Sequence, residues 1–391
     1  MSYVLRDYQQ KASDAAANFF ENKAKKNNAI IVLPTGAGKS LVIADIASRL
    51  KGHTLVFQPS KEILEQNYLK LCSYGVLDCS IYSASFGRKE ISRITFATIG
   101  SVVNHPELFQ HFQSIIIDEC HLVNPKDGMY KRFLSILKCK VLGLTATPYR
   151  LSSSRDYGSM LKFITRTRPC VFSEVIYQVQ ISTLLDMGYL SKLNYYEMNP
   201  LGWNELNLKV NTTGADYTDK SLIKEYERID FYGFLVSIVQ RLMNPKSGIK
   251  RKGILVFTRF LKEAERLTHS VPGTAIVSGE TPKKERERIL EAFKAGEIPV
   301  VANVGVLTTG FDYPELDTIV MARPTMSLAL WYQIVGRAIR PHPNKEAGWI
   351  VDLCGNKKRF GEVKDLRLVD GGNGKWDVYS NDRQLTNVRF D

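Results

Sequence analysis

A chain of 391 residues is too long for one ordinary core and suits two domains of roughly 150 to 200 residues each. Its 44% hydrophobic and 24% charged content argues against disorder, and six cysteines without a CxxC pair or Cys/His zinc spacing argue against structural zinc. The absence of a leader-like start and of any long apolar run argues against secretion or a membrane span and for a cytoplasmic protein. The net charge of +13 is unevenly placed: residues 1–168 hold 23 Lys+Arg against 13 Asp+Glu, and the remainder holds 30 against 27. A basic balance in one half points to a polyanionic partner, because Lys and Arg contacts to phosphate release counterions; a solvated basic surface reads the same way.

In chain order, short β-rich apolar runs alternate with stretches of helical period, the pattern of buried parallel strands joined by helices. The first half has predicted strands at 29–33, 54–57, 94–98, 114–118 and 141–144. Between the first two, Val42, Ile43, Ile46, Ala47 and Leu50 form one helical stripe. The second half repeats the pattern at 253–257, 274–277, 299–303, 318–321 and 349–353, with a helix over 282–293 that takes Thr281 as N-cap and Pro282 as its first residue. Two such series imply an α/β fold of two lobes, 1–168 and 169–360, each a mostly parallel sheet with helices on both faces and ligands at the strand C-termini. The boundary carries a margin of about ten residues. In the tail, 361–391, the pairs Leu366/Leu368 and Trp376/Val378 flank a turn at 370–374 and predict a β-hairpin packed on the second lobe. Trp376 reads either as core packing or as a base-stacking wedge.

The first chemical signal follows strand 29–33: Pro34, Thr35, Gly36, Ala37, Gly38, Lys39 and Ser40, then a helix. Glycines let the backbone approach an anion, Lys39 reaches the β/γ phosphates of ATP, and the Ser40 hydroxyl takes Mg²⁺. The strict pattern wants Gly at 33, where this chain has Leu33. Asp118 and Glu119, ending strand 114–118, supply the second need of such a site: Asp118 for the Mg²⁺ shell and Glu119 to orient and deprotonate water.

These residues resemble helicase superfamily 2, with a DECH box at 118–121. The resemblance implies two RecA-like lobes with the ATP site in the cleft between them. It places Arg6 and Gln9 at the nucleotide, and Gln58, Pro59, Ser60, Thr98, Gly100 and Ser101 on nucleic acid. His121, Thr145 and Thr147 become the residues that couple ATP state to grip. In the second lobe it implies Arg259 and Thr308 on the nucleic-acid backbone and Gly310, Asp312 and Gln333 near ATP. Arg337 and Arg340, three apart on a predicted helix, become transition-state cations. Within the superfamily the strings LRDYQ, VLPTGAGKS, LGLTATP and QIVGR look most like RadD-type bacterial repair ATPases, without their cysteine-rich C-terminal part.

The reading is therefore an ATP hydrolase that translocates on or remodels duplex or branched DNA in repair or recombination, in a bacterial or phage-infected cytoplasm, with unidentified protein partners and no membrane contact. An RNA-dependent ATPase and a non-hydrolysing ATP-binding scaffold are the alternatives; Glu119, Arg337 and Arg340 argue against the scaffold, since binding alone needs none of them.

Overall fold

The computed structural model describes residues 4–388 apart from 23, 25, 26, 155–157, 212–215, 247–250, 252, 309 and 310. The chain divides into two compact units: Met1–Arg150 with Leu161–Ile181 and Arg367–Tyr379, and Leu151–Met160 with Ser182–Leu366 and Ser380–Asp391.

The first unit holds a sheet of eight strands. Its centre runs in the order Glu174–Gln178, Ala29–Val32, Lys140–Thr145, Ser114–Asp118, Thr54–Phe57, Ile94–Ala97, Cys79–Ser83, all parallel, with a short antiparallel strand, Arg88–Lys89, at the far edge. Ala29–Val32, Thr54–Phe57 and Ile94–Ala97 are buried at every position, which is why they read as unbroken apolar runs rather than as alternation. Each fully buried Ile, Val or Leu contributes about 1.5–3 kcal/mol, so the strands are fixed and the loops at their C-terminal ends inherit that rigidity.

The second unit has a six-stranded parallel sheet ordered Lys192–Glu197, Ala347–Asp352, Thr318–Ala322, Ile254–Thr258, Val300–Val304, Thr274–Val277. Its core includes Trp331 and Tyr226, the latter stacked on Phe231 at 4.1 Å between ring centroids. The helix expected from 282 runs Lys283–Lys294 with Pro282 as N-cap; the Thr281 hydroxyl instead accepts from the Ser278 N–H at 2.9 Å.

Besides the short Arg88–Lys89, three strands of the two main sheets escaped the sequence reading. Glu174–Gln178 and Lys192–Glu197 are sheet edges and only partly buried, so their polar residues hide the pattern. Cys79–Ser83 is buried throughout, but three of its residues are Cys or Ser.

The tail does form a hairpin, Leu366–Asp370 and Trp376–Ser380, extended by Arg383–Gln384 into a three-stranded sheet. Its residues are divided between the units: Arg367–Tyr379 belong to the first, whereas Leu366 and Ser380–Asp391, the third strand included, belong to the second. Trp376 stacks on Phe163 at 6.1 Å, Thr165 donates to the Gly374 carbonyl, and Arg166 pairs with both oxygens of Asp377 at 3.1 and 2.9 Å. Gln180 exchanges two bonds with the Leu368 backbone. The apolar face of the hairpin takes the aromatic surface nearest its register, which Phe163 supplies.

Candidate ATP site and nucleic-acid interface

In the first unit, Ala29–Val32, Lys140–Thr145 and Ser114–Asp118 are neighbours, so the loops after them meet at one rim. The loop after Ala29–Val32 turns through Gly36 and Gly38, both at positive φ (83° and 77°), before the helix Lys39–Arg49. Gly38 is needed twice: its φ suits glycine, and a Cβ there would lie 2.5 Å from Gln9 Nε2. Gln9, 3% exposed, donates from that nitrogen to the Ala37 carbonyl at 2.9 Å and accepts from the Arg6 N–H at 2.9 Å. The Tyr8 hydroxyl also donates to Ala37. The N-terminal motif thus clamps the phosphate loop, and Tyr8 is a clamp residue that the sequence reading left unassigned.

Glu119 stands at φ 48°, ψ 48°, a left-handed conformation costly for a residue with a Cβ. Lys39 Nζ lies 3.4 Å from Glu119 Oε1, and His121 Nδ1 lies 3.3 Å from Oε2. The same His121 nitrogen is 2.9 Å from Thr145 Oγ1 and 3.1 Å from Thr147 Oγ1. The expected catalytic and coupling residues of this unit therefore form one connected cluster. Burial and the neighbouring Glu119 charge push the Asp118 carboxyl up. Burial alone would raise Glu119 too, but the Lys39 ammonium and His121 outweigh it and hold that carboxyl well below its ordinary range.

The residues fit Mg²⁺. Mg²⁺ keeps several waters and takes one or two carboxylates plus substrate phosphates, so a single well-placed carboxylate is enough. Asp118, a buried carboxylate disfavoured as an anion, is the group that a cation would stabilise, and Ser40 opens the helix whose first residue is Lys39.

The expected nucleic-acid loops follow the adjacent strands Thr54–Phe57 and Ile94–Ala97. Thr98 and Ser101 hydroxyls bond each other at 2.9 Å, Ser60 caps the helix Lys61–Ser73, and Gly100 is open and exposed; Pro59 is half-buried beside them. Gln58 differs. It is 1% exposed and accepts from Asn67 at 2.9 Å, whose amide also reaches Asp118 at 3.4 Å. Gln58 faces the ATP-site carboxylate rather than solvent, and Asn67, which no motif flagged, is the bridge.

In the second unit, Arg259 and Thr308 follow the adjacent strands Ile254–Thr258 and Val300–Val304. Arg259 is occupied: it bonds Asp216 at 2.7 Å and Asp219 at 2.8 and 3.0 Å. Arg337 and Arg340 do not share a helical face as expected. The helix Leu328–Val335 is capped by Gly336, a poor helix former, and both arginines lie beyond it. Arg337 donates to the Phe311 and Thr308 carbonyls at 2.7 and 2.8 Å, Arg340 pairs with Asp312, and Gln333 is half-buried on the helix. Gly310 lies outside the described residues. Lys345, unflagged, donates to the carbonyls of Pro314, Leu316 and Ala338 and ties this segment together; burial pushes its ammonium down to about 8.

Two parallel-sheet units whose loop-bearing rims carry these residues are RecA-like lobes. Residues 2–150 match the family described as Type III restriction enzyme, res subunit, and residues 235–342 match the Helicase conserved C-terminal domain; together they place the chain in helicase superfamily 2. Among relatives, IRC3 of Saccharomyces cerevisiae is 25% identical over 90% of this chain and 52% of its own length. The DNA 3'-5' translocase XPB2 of Sulfurisphaera tokodaii is 27% identical over 88% of this chain and 80% of its own. The solved ATP-dependent Type ISP restriction-modification enzyme LlaBIII bound to DNA is alike in fold, with a TM-score of 0.65 at 18% identity over 90% of this chain and 28% of that one. The chain thus spans about half the length of some relatives and most of others. No helix among the described residues is long and apolar enough to cross a membrane.

Proposed function

We propose that the protein is an ATP-hydrolysing motor that moves on or remodels duplex or branched DNA. The observation that carries the proposal is Glu119, held in a left-handed backbone and bracketed by Lys39 and His121. A binding scaffold has no use for a strained carboxylate kept ionised beside the phosphate-loop lysine. In the working site Lys39 and the Gly36–Gly38 backbone hold the phosphates, Ser40 and Asp118 hold Mg²⁺, and Glu119 orients the water and takes its proton. Bound Mg²⁺ neutralises charge on the β and γ phosphates. His121 ties Glu119 to Thr145 and Thr147, giving nucleotide state a path to the strand ends. Arg337 and Arg340 are the cations proposed to meet charge in the transition state, and Arg6 and Gln9 the residues nearest the base.

DNA is preferred over RNA because XPB2 is named a DNA translocase; the basic balance calls for a polyanion and suits either nucleic acid. The finer reading, a RadD-type role in repair or recombination in a bacterial or phage-infected cytoplasm, rests on the shared strings alone. ATP hydrolysis measured without nucleic acid and with single-stranded, duplex and forked DNA and RNA tests the proposal. Stimulation by DNA supports it. Stimulation by RNA alone supports the RNA-dependent alternative, and ATP binding without turnover under any condition supports the scaffold.

A further inference from the structure

We propose that the second unit carries an additional nucleic-acid subsite, a pocket that takes one nucleotide of a single strand with its base on Trp203 and its phosphates on Lys358, Arg359 and Arg383. The inference rests on the reading that the protein binds nucleic acid, and it adds a site outside the motifs.

The pocket, about 480 Å³, lies at the C-terminal ends of three neighbouring strands: Asn199 follows Lys192–Glu197, Gly355 follows Ala347–Asp352, and Pro324 follows Thr318–Ala322. Its size suits a small-molecule ligand of nucleotide scale. Its lining contains three cations and no carboxylate. Lys357, next in sequence, is neutralised by Glu197 at 3.4 Å and Glu362 at 3.2 Å. Lys358, Arg359 and Arg383 make no ion pair among the described residues. Repulsion among three unpaired cations is an uncompensated cost that an anion would relieve.

The cations are also placed. Arg359 donates to the Tyr217 hydroxyl at 2.5 Å with its guanidinium 5.8 Å from that ring, and its carbonyl accepts from Arg383 at 2.8 Å. Trp203 is half-buried, set after Gly202 at φ 78° and tilted on Phe231 at 5.9 Å, so its orientation is fixed as a stacking platform must be.

The pocket continues the rim that bears Arg259. Asp216 bonds both Arg259 and Arg323, and Tyr217 and Pro324, which follow Asp216 and Arg323 in the chain, line the pocket. Parallel strands lie about 4.8 Å apart, so three steps from Ile254–Thr258 to Lys192–Glu197 cover about 14 Å, the reach of a few nucleotides along one strand. A free nucleoside triphosphate suits the pocket less well, because no lining carboxylate would hold its Mg²⁺.

The test uses the full chain with Lys358→Glu/Arg383→Glu. Both side chains are exposed and neither makes an ion pair among the described residues; the variant gives up one exposed hydrogen bond, from Arg383 to the Arg359 carbonyl, so the melting temperature should stay close to wild type. Binding of a labelled oligo-dT should weaken by roughly tenfold or more, with the salt slope shallower by about 1.4 for two lost phosphate contacts. Lys283→Glu/Lys284→Glu, the same charge change on another exposed face of the unit, should weaken binding far less. Trp203→Leu should weaken binding by roughly tenfold with an unchanged salt slope, as loss of stacking requires. Equal losses in the two double variants would overturn the subsite in favour of diffuse electrostatics. So would intact oligonucleotide affinity in the Lys358/Arg383 variant, including the case in which it loses AMP or ATP binding instead, which would assign the pocket to free nucleotide; either result leaves the motor proposal standing. Failure of the wild-type protein to bind any oligonucleotide would overturn both.

Discussion

Lys39 and Glu119 touch each other, yet the roles proposed for them are separable, and that separation is measurable. If Lys39 supplies phosphate affinity, Lys39→Ala should lose both ATP binding and turnover; if Glu119 is the base, Glu119→Gln should lose turnover while retaining ATP. Equal loss of ATP affinity in both would remove the role given to Glu119. Asp118 yields a second prediction, from its sign. Its folded-state carboxyl is raised by burial and by Glu119, so the native state holds the proton more tightly than the unfolded chain, and stability falls as pH rises from the ordinary value of 3.8 through the raised one. Asp118→Asn lacks that penalty. Without ATP or Mg²⁺ its melting temperature should gain on wild type between about pH 4 and pH 8, and a constant difference across that range would refute the assignment. The residues of this cluster were legible because their types and spacing are dictated by phosphate chemistry. Asn67 was not, since one amide in the middle of an amphipathic helix carries no pattern until folding brings it to Asp118.

At the scale of elements, the buried central strands were readable and the half-exposed edges were not. The helix end before Arg337 shows a second kind of limit. Periodicity continues through QIVGRAIR, but Gly336 ends the helix, and the Arg337 side chain is spent on the Phe311 and Thr308 carbonyls. Arg337 therefore staples the loop after Val300–Val304 whether or not it also meets ATP. Arg337→Ala should cut the ATPase rate on the order of 10³-fold with little change in ATP affinity if it acts in the transition state. A staple alone would instead lower the melting temperature and leave turnover per folded molecule near wild type. The tail hairpin gives the other element-scale prediction. Trp376 is 8% exposed and stacked on Phe163, which favours packing over a DNA wedge. Trp376→Ala should cost about 3 kcal/mol of stability with unchanged affinity for forked DNA, and weaker fork binding at normal stability would restore the wedge.

The chain passes between the two units more than once, and Arg367–Tyr379 returns to the unit formed by Met1–Arg150 and Leu161–Ile181. A single cut near residue 168, which the boundary read from the sequence would suggest, separates Glu174–Gln178 from Ala29–Val32, its partner in the sheet. Sequence could not reveal this return, since nothing local to the hairpin names Phe163 or Gln180 as its partners. The consequence reaches the ATP site through a short path within that unit. Leu368 and Gly374 hold Gln180 and Thr165, which flank the Glu174–Gln178 strand, and that strand pairs with Ala29–Val32, whose end carries the phosphate loop. Removing residues 366–391 should therefore speed amide exchange across 163–180 and in 29–32, lower the melting temperature, and reduce ATP affinity although no deleted residue belongs to the phosphate loop. Exchange that quickens only within 182–365, with ATP affinity intact, would show that the hairpin supports the other unit and would overturn this path.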